Sequence, residues 1–286
     1  MSLTERIASR FSKAAQTYDD HAVLQREIGQ RLMERLDYIR CAPLTIVDAG
    51  CGTGECTFAL ARRFPKAKVF GIDIAQGMIQ QAKKKRRWFS KTRFQIGDMS
   101  ALPFEDNSID FLFSNLALQW VDDLSSCFRE WQRVLKPGGL LLFSTFGVDT
   151  LKELRASWAA IDSGTHVNEF TDLHDVGDAL LRAAFSQPVM DAEWLTTTYR
   201  DVPQLLRELK AIGANTVKAE ASGGLMGRGK LKQLMAAYEP YRTEEGWIPA
   251  TWEVVYGHAW GSETKAPMAK RDDVYIVSLD EPGSSK

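Results

Sequence analysis

The sequence predicts an α/β protein: a mostly parallel sheet with flanking helices, N-terminal helices ahead of it and a helical lid insertion late in the chain. Three observations carry that reading. Short apolar runs alternate with amphipathic stretches from residue 45 to residue 146. The first apolar run ends in a glycine cluster, Gly50-Cys51-Gly52-Thr53-Gly54. Ahead of it, the apolar residues recur at helical spacing instead.

In the N-terminal stretch, Ile7, Phe11, Ala14 and Tyr18 share one helical stripe, and Leu24, Ile28, Leu32 and Leu36 share another. Residues 1–44 are therefore expected to form a two-helix cap closed by Pro43. Strands are expected at 45–48, 68–73, 93–96, 109–114 and 140–146, with helices at 55–64, 76–85 and 124–135. The fifth strand is placed after the turn Lys136-Pro137-Gly138-Gly139. Beyond Phe146 the alternation loosens. Helices are expected at 151–161, 173–184, 201–212 and 230–238, and strands at 189–199 and 251–260. The expected organisation is a cap (1–44), a ligand-binding sheet domain (45–197), the lid insertion (198–250), a final strand (251–261) and a polar tail (262–286). Val274-Tyr275-Ile276-Val277 in that tail is a candidate edge strand. The insertion carries a glycine-rich loop, Ser222 to Lys230.

Composition narrows the function classes. The 286 residues fit one or two domains of about 150 residues each. At 44% hydrophobic and 26% charged, the chain can bury a sizeable core, which excludes a disordered chain or a disulfide-stapled mini-protein. With 36 basic against 37 acidic residues, a net charge of -1, it is expected to bind neither nucleic acid nor a membrane surface. No apolar run is long enough to span a bilayer, and residues 1–10 carry no secretory h-region. Glu5, in a helical pattern, speaks against a transit peptide. Cys41, Cys51, Cys56 and Cys127 lack CxxC spacing and read as reduced thiols of a cytoplasmic protein. His21, His166, His174 and His258 are too scattered for a zinc set, so no metal is expected. The charge run Lys83 to Arg87 reads as a solvated helix end.

The chemistry sits at Val47-Asp48-Ala49-Gly50-Cys51-Gly52-Thr53-Gly54, where a strand meets a glycine turn that opens a helix. The spacing is GxGxG, not the GxGxxG of dinucleotide sites, and Asp48 precedes it. An acidic residue there suits a ligand bearing an ammonium and a sulfonium, S-adenosylmethionine, better than a pyrophosphate. Asp73, 19 residues beyond Gly54 and followed by Ile74, ends the second strand where a carboxylate can accept from both ribose hydroxyls. Asp98 and Met99 end the third strand and are candidates for the adenine. Asn115 and Leu116 end the fourth, facing the methyl donor. Gly50, Gly52 and Gly54 complete the candidate cofactor set.

Residues 45–146 resemble the class I S-adenosylmethionine-dependent methyltransferases, whose sheet is Rossmann-like. A narrower resemblance runs from about residue 7 to about residue 260. Phe11-Ser12-Lys13-Ala14-Ala15-x-x-Tyr18, His21-Ala22-x-Leu24-Gln25, Asn115-Leu116-Ala117-Leu118-Gln119-Trp120, His166-Val167-Asn168-Glu169-Phe170 and Leu209-Lys210-Ala211-Ile212-Gly213-Ala214-Asn215 are similar to the malonyl-acyl-carrier-protein O-methyltransferases of biotin synthesis. The resemblance implies methylation of the free malonyl carboxylate on an acidic acyl carrier protein. A carboxylate is already ionised at neutral pH and needs no general base, so the absence of a Ser/His/Asp constellation does not count against catalysis. Tyr18, His166 and Arg200 are the candidates to orient it as catalytic residues, with Phe170 and Trp120 nearby. Arg228, Lys230, Lys232 or the run 83–87 are candidates to meet the carrier. Phe146 to Arg155 also resembles mitochondrial complex I assembly factors that hydroxylate an arginine. The Leu209–Asn215 run favours the methyltransferase. Asp48, the three glycines and Asp73 speak against a non-catalytic scaffold.

Overall fold

A computed structural model describes residues 2–86, 90–212 and 227–263. Arg87, Gly213-Ala214-Asn215, residues 222–226 of the glycine-rich loop and the candidate edge strand 274–277 lie outside the described residues.

The chain opens with α1 (Leu3–Ala14), α2 (Tyr18–His21) and α3 (Val23–Glu34). Ser2 and Glu5 form a reciprocal capping box that starts α1. The single stripe read through Tyr18 is broken. The Thr17 N–H donates to the Ala14 carbonyl at 3.1 Å, and the chain turns there, so Tyr18 begins a separate short helix. There follow β1 (Thr45–Ala49), α4 (Glu55–Arg63), β2 (Lys68–Asp73), α5 (Gln76–Lys85), β3 (Arg93–Ile96), β4 (Ile109–Asn115), α6 (Leu124–Val134) and β5 (Leu135–Phe146). The late elements are α7 (Lys152–Ala159), α8 (Leu173–Arg182), β6 (Ser186–Tyr199), α9 (Val202–Ala211), α10 (Arg228–Tyr238) and β7 (Ile248–Trp260).

The seven strands form one sheet in the order β3-β2-β1-β4-β5-β7-β6. β1 to β5 run parallel, and β7 is antiparallel to both its neighbours. The winding direction reverses between β1 and β4, so ligands belong at the carboxyl ends of these two strands. Side-chain alternation sorts the strands onto two cores. Ile46, Phe111, Phe113, Leu140 and Leu142 pack with Ile28, Leu32 and Leu60 on one face. Val47, Leu112, Leu141 and Phe143 pack with Phe128, Trp131 and Leu180 on the other.

β5 begins earlier than the sequence reading placed it. Helix α6 stops at Val134, and the strand starts at Leu135, before the Pro-Gly-Gly turn. A register shift opposite Ile109 and Phe111 absorbs Lys136 to Gly139 as a bulge. Hydrogen bonds from Gly138 N to the Gly261 carbonyl and from Gly261 N to the Gly139 carbonyl hold that bulge to the end of β7.

Two buried carboxylates attach α7 and its leading loop to β7. The Thr251 N–H donates to Glu153 Oε2 at 3.0 Å, and the Thr251 hydroxyl donates to Glu153 Oε1. The Asp149 N–H donates to Glu253 Oε2 at 2.7 Å. The Glu153→Ala variant leaves the buried Thr251 donors without acceptors, at a cost of about 1–3 kcal/mol. A midpoint drop of several degrees in thermal unfolding is expected, at about 2–4 °C per kcal/mol for chains of this size. An unchanged midpoint would show that the carboxylate does not secure this junction.

Candidate active site

The glycine turn after β1 wraps the end of β2. The N–H groups of Gly50 and Cys51 both donate to the Ile72 carbonyl, at 2.8 and 3.0 Å. Gly50, Gly52 and Gly54 have φ of 77°, 54° and 87°. At two of them glycine is required twice over. A Cβ on Gly50 would lie 2.3 Å from the Ala117 Cβ, and one on Gly54 would lie 2.9 Å from the Phe94 ring. The Gly52 N–H donates to Asp73 Oδ2 and the Ala75 N–H to Asp73 Oδ1, both at 2.8 Å. Each Asp73 oxygen keeps acceptor capacity for a ligand. Burial pushes the Asp73 carboxyl above its ordinary value, against these two backbone hydrogen bonds.

Over this turn lies a cavity of about 310 Å³. Its floor is Gly50, Gly52, Asp73, Ile74, Asp98, Met99, Asn115 and Leu116, the strand-end residues expected from the sequence. Its roof is Thr4, Ile7 and Phe11 of α1, with Tyr18. Asp98 is turned by accepting the Ser100 N–H at 2.8 Å, and the Met99 carbonyl accepts the Trp131 indole N–H at 2.9 Å. Asp122, Asp123 and Ser126 close the far end. Sequence reasoning did not find these three, although Asp123 carries a legible N-cap signal for α6.

A smaller recess of about 60 Å³ continues behind the glycines, past Asp48, Thr53 and Cys56 to Arg26. Asp48 is 1% exposed and accepts the Thr57 hydroxyl at 2.6 Å. Burial pushes its carboxyl up to about 7, against that hydrogen bond and with Asp73 adding to the rise. Arg26, also missed in the sequence, donates to the Asp19 carbonyl. The Asp19 carboxylate in turn accepts the Thr53 hydroxyl at 2.6 Å and pairs with Lys85 at 2.5 Å. Gly54 lies outside the described cavity linings and serves instead as the N-cap of α4.

A third cavity, of about 260 Å³, is mainly apolar: Phe146, Leu151, Leu154, Trp158, Phe170, Leu206, Leu209 and Trp252 line it, with Gln25, Gln119 and His166. It meets the first cavity at Phe11, Tyr18, Leu116 and Trp120. Among the described residues, Tyr18 is the one that lines all three spaces. Burial, then the Asp73 charge, raises its phenol above the ordinary range, so it remains a hydroxyl donor. Phe11 and Trp120 stand edge to face at 5.3 Å across the same seam. Leu116 has a left-handed backbone, φ 50°, held where its N–H meets the Ser144 carbonyl and hydroxyl, each at 3.1 Å. The Asn115 amide donates to the Gln25 carbonyl at 3.0 Å and ties the end of β4 to α3.

The three residues expected to orient a substrate are not brought together. Tyr18 is at the seam and His166 on the wall of the third cavity. Arg200 is exposed and lines none of these spaces, and its N–H donates to Gln204. The alternation of β6 gives the inward position to Tyr199, which is 6% exposed. Among the described residues, no group of three or more His, Cys, Asp or Glu is placed to hold a metal ion.

Comparison with known proteins accords with this geometry. A family model described as "Methyltransferase domain" matches residues 47–143. A malonyl-[acyl-carrier protein] O-methyltransferase of Gallionella capsiferriformans strain ES-2 is 48% identical over 273 residues, covering 93% of each chain. The protein of the same name from Methylovorus sp. strain MP688 is 45% identical, covering 92% of this chain and 90% of its own. Among solved structures, a phosphoethanolamine N-methyltransferase of Haemonchus contortus, holding phosphomonomethylethanolamine and S-adenosylhomocysteine, superposes with a TM-score of 0.52. That match is 19% identical and covers 82% of this chain and 52% of the other, so it speaks for the fold alone. At 48% identity along nearly its whole length, the chain belongs to the malonyl-[acyl-carrier protein] O-methyltransferase family.

Proposed function

We propose that the chain transfers the methyl group of S-adenosylmethionine to the free carboxylate of a malonyl group on an acyl carrier protein, an early step of biotin synthesis. The observation that carries this reading is the meeting of two cavities, of about 310 and 260 Å³, at a seam of four residues. One has the acidic, glycine-floored character of a nucleoside site, and the other is an apolar room for a thioester.

S-adenosylmethionine supplies a methyl carbon on a positive sulfur, and an attacking carboxylate oxygen takes it while the C–S electron pair stays on sulfur. No proton moves in that exchange, so the chain's task is alignment and exclusion of water. Asp73 is placed to accept from ribose hydroxyls with the lone pairs its backbone donors leave free. Asp98 and Met99, in the lining of the same cavity, would hold the adenine. Asp48 and Arg26, in one small recess, offer opposite charges to the ammonium and carboxylate of the amino-acid end. Asn115, Leu116 and Tyr18, which line the same cavity, would hold the methyl-bearing end.

Two unlike charges vanish as the ester forms, so an apolar acceptor room favours the transition state over separated, hydrated ions. The described lining of that room includes no Asp or Glu to repel the malonyl carboxylate. Holding the two reactants in line can supply about 7–11 kcal/mol of the barrier. Arg228 and Lys232, exposed on α10, suit the surface of an acidic carrier. The four unpaired thiols fit a cytoplasmic setting, and no described helix is long and apolar enough to cross a membrane.

Incubation with methyl-labelled S-adenosylmethionine and either malonyl- or acetyl-carrier protein tests the reading. Label is expected on the malonyl carrier alone, released as methanol by mild base. Label on neither carrier, with the cofactor bound, would remove the proposed acceptor.

A second prediction concerns Asp48. Its native carboxyl titrates about 7, above the ordinary 3.8 of the unfolded chain. Between those values the unfolded state has released a proton that the native state keeps, so this group's contribution to stability falls as pH rises. Asp48→Asn should therefore raise the thermal midpoint of the ligand-free protein at about pH 8 and change it little near pH 4. The same variant should bind S-adenosylmethionine at least about 10-fold more weakly, having lost a charge-assisted contact. A lower midpoint at pH 8 with unchanged affinity would contradict both assignments.

A further inference from the structure

The acceptor cavity must distinguish a carboxylate from the neutral groups that carrier proteins also bear. Of the described residues lining it, His166 alone can carry a positive charge. Its ring is held from two sides. It stacks on the Trp158 indole with centroids 3.8 Å apart and planes 16° apart, and Nε2 lies 2.7 Å from Asp162 Oδ1. Asp162 is itself fixed: the Lys230 Nζ on α10 reaches Oδ2 at 2.7 Å, and the Gly164 N–H donates to Oδ1 at 2.9 Å. Hydrogen bonds from Lys230 and His166 hold that carboxyl well below the usual carboxylate range, so it stays an acceptor. Nε2 therefore keeps its proton, and Nδ1 is the ring nitrogen without a partner among the described residues.

We propose that His166 is the specificity-determining residue for a free carboxylate, donating to it from Nδ1, and that Asp162, anchored by Lys230, is its positioning residue. The proposal rests on the carboxylate-acceptor reading above. With Nε2 committed to Asp162, a neutral ring would present only a lone pair at Nδ1 and repel a carboxylate. A ring carrying a proton on both nitrogens presents an N–H there instead. The carboxylate's charge is greatest before reaction and gone in the ester. His166 therefore contributes more to the ground state than to the transition state and acts on binding and selectivity rather than on kcat. The same loss of charge favours release of the methyl ester.

The test is the affinity of the protein, saturated with S-adenosylhomocysteine, for malonyl- and acetyl-carrier protein. The wild type should prefer the malonyl carrier. His166→Gln should cut that preference about 10-fold or more, the worth of one hydrogen bond to a charged group, with acetyl-carrier affinity unchanged. Asp162→Asn should cut it by less, and both variants should keep kcat at saturating malonyl carrier within a few-fold. Neither residue lines the donor cavity, so unchanged S-adenosylhomocysteine affinity verifies folding. A His166→Gln protein that retains the full malonyl preference, or loses both carriers equally, overturns the proposal. A wild type without any malonyl preference overturns the carboxylate reading and the proposal with it.

Discussion

The close approach of the glycine turn to the end of β4 is the constraint on which the site depends. Gly50 passes Ala117 at a distance that leaves no room for a side chain, and its neighbour Gly52 reaches Asp73 at the end of β2. Three strand ends are thereby drawn to one point at the reversal of the sheet's winding. The cavity of about 310 Å³ is the space left over them. A larger residue at Gly50 would push β1 and β4 apart and move the floor that Asp73, Met99 and Leu116 share.

The rest of the chain supplies what a bare sheet lacks, which is a cover over the seam. α1 covers the donor cavity through Ile7 and Phe11, and the turn at Thr17 sets Tyr18 where three spaces meet. On the other side, α7 is held to β7 through Glu153 and Thr251, which places Leu151, Leu154 and Trp158 along the wall of the third cavity. Burying two glutamates would be costly were their acceptors not filled by backbone N–H and hydroxyl groups. A seam lined mainly by apolar side chains suits a reaction in which charge disappears, and an already ionised carboxylate needs no acid–base pair there.

The strands and the floor of the cavity over the glycine turn were legible because each depends on local pattern. β2, α5 and β3 fall where their periodicity places them, and each candidate strand-end residue from Asp73 to Leu116 lines the cavity. What was not legible depends on phase or on tertiary meeting. Arg200 follows a strand whose inward parity belongs to Tyr199, and a run such as Leu195-Thr196-Thr197-Thr198-Tyr199 does not declare which face is buried. Arg26 sits one residue beyond the His21-to-Gln25 motif, yet its position depends on Asp19 and Thr53 arriving from elsewhere. The bulge in β5 escaped because Pro-Gly-Gly signals a turn, and only the partner strand shows that the ladder resumes on both sides.

In the proposed reaction the chain aligns an already ionised carboxylate with a methyl donor and removes no proton. The most direct measurement is kcat as a function of pH, at saturating S-adenosylmethionine and malonyl carrier. With both reactants bound, no base has to ionise, so kcat should be flat from about pH 6 to about pH 8.5. A kcat that climbs tenfold per pH unit through this range would mean that a general base takes a proton in the rate-limiting step, and would rule out transfer to an already ionised carboxylate.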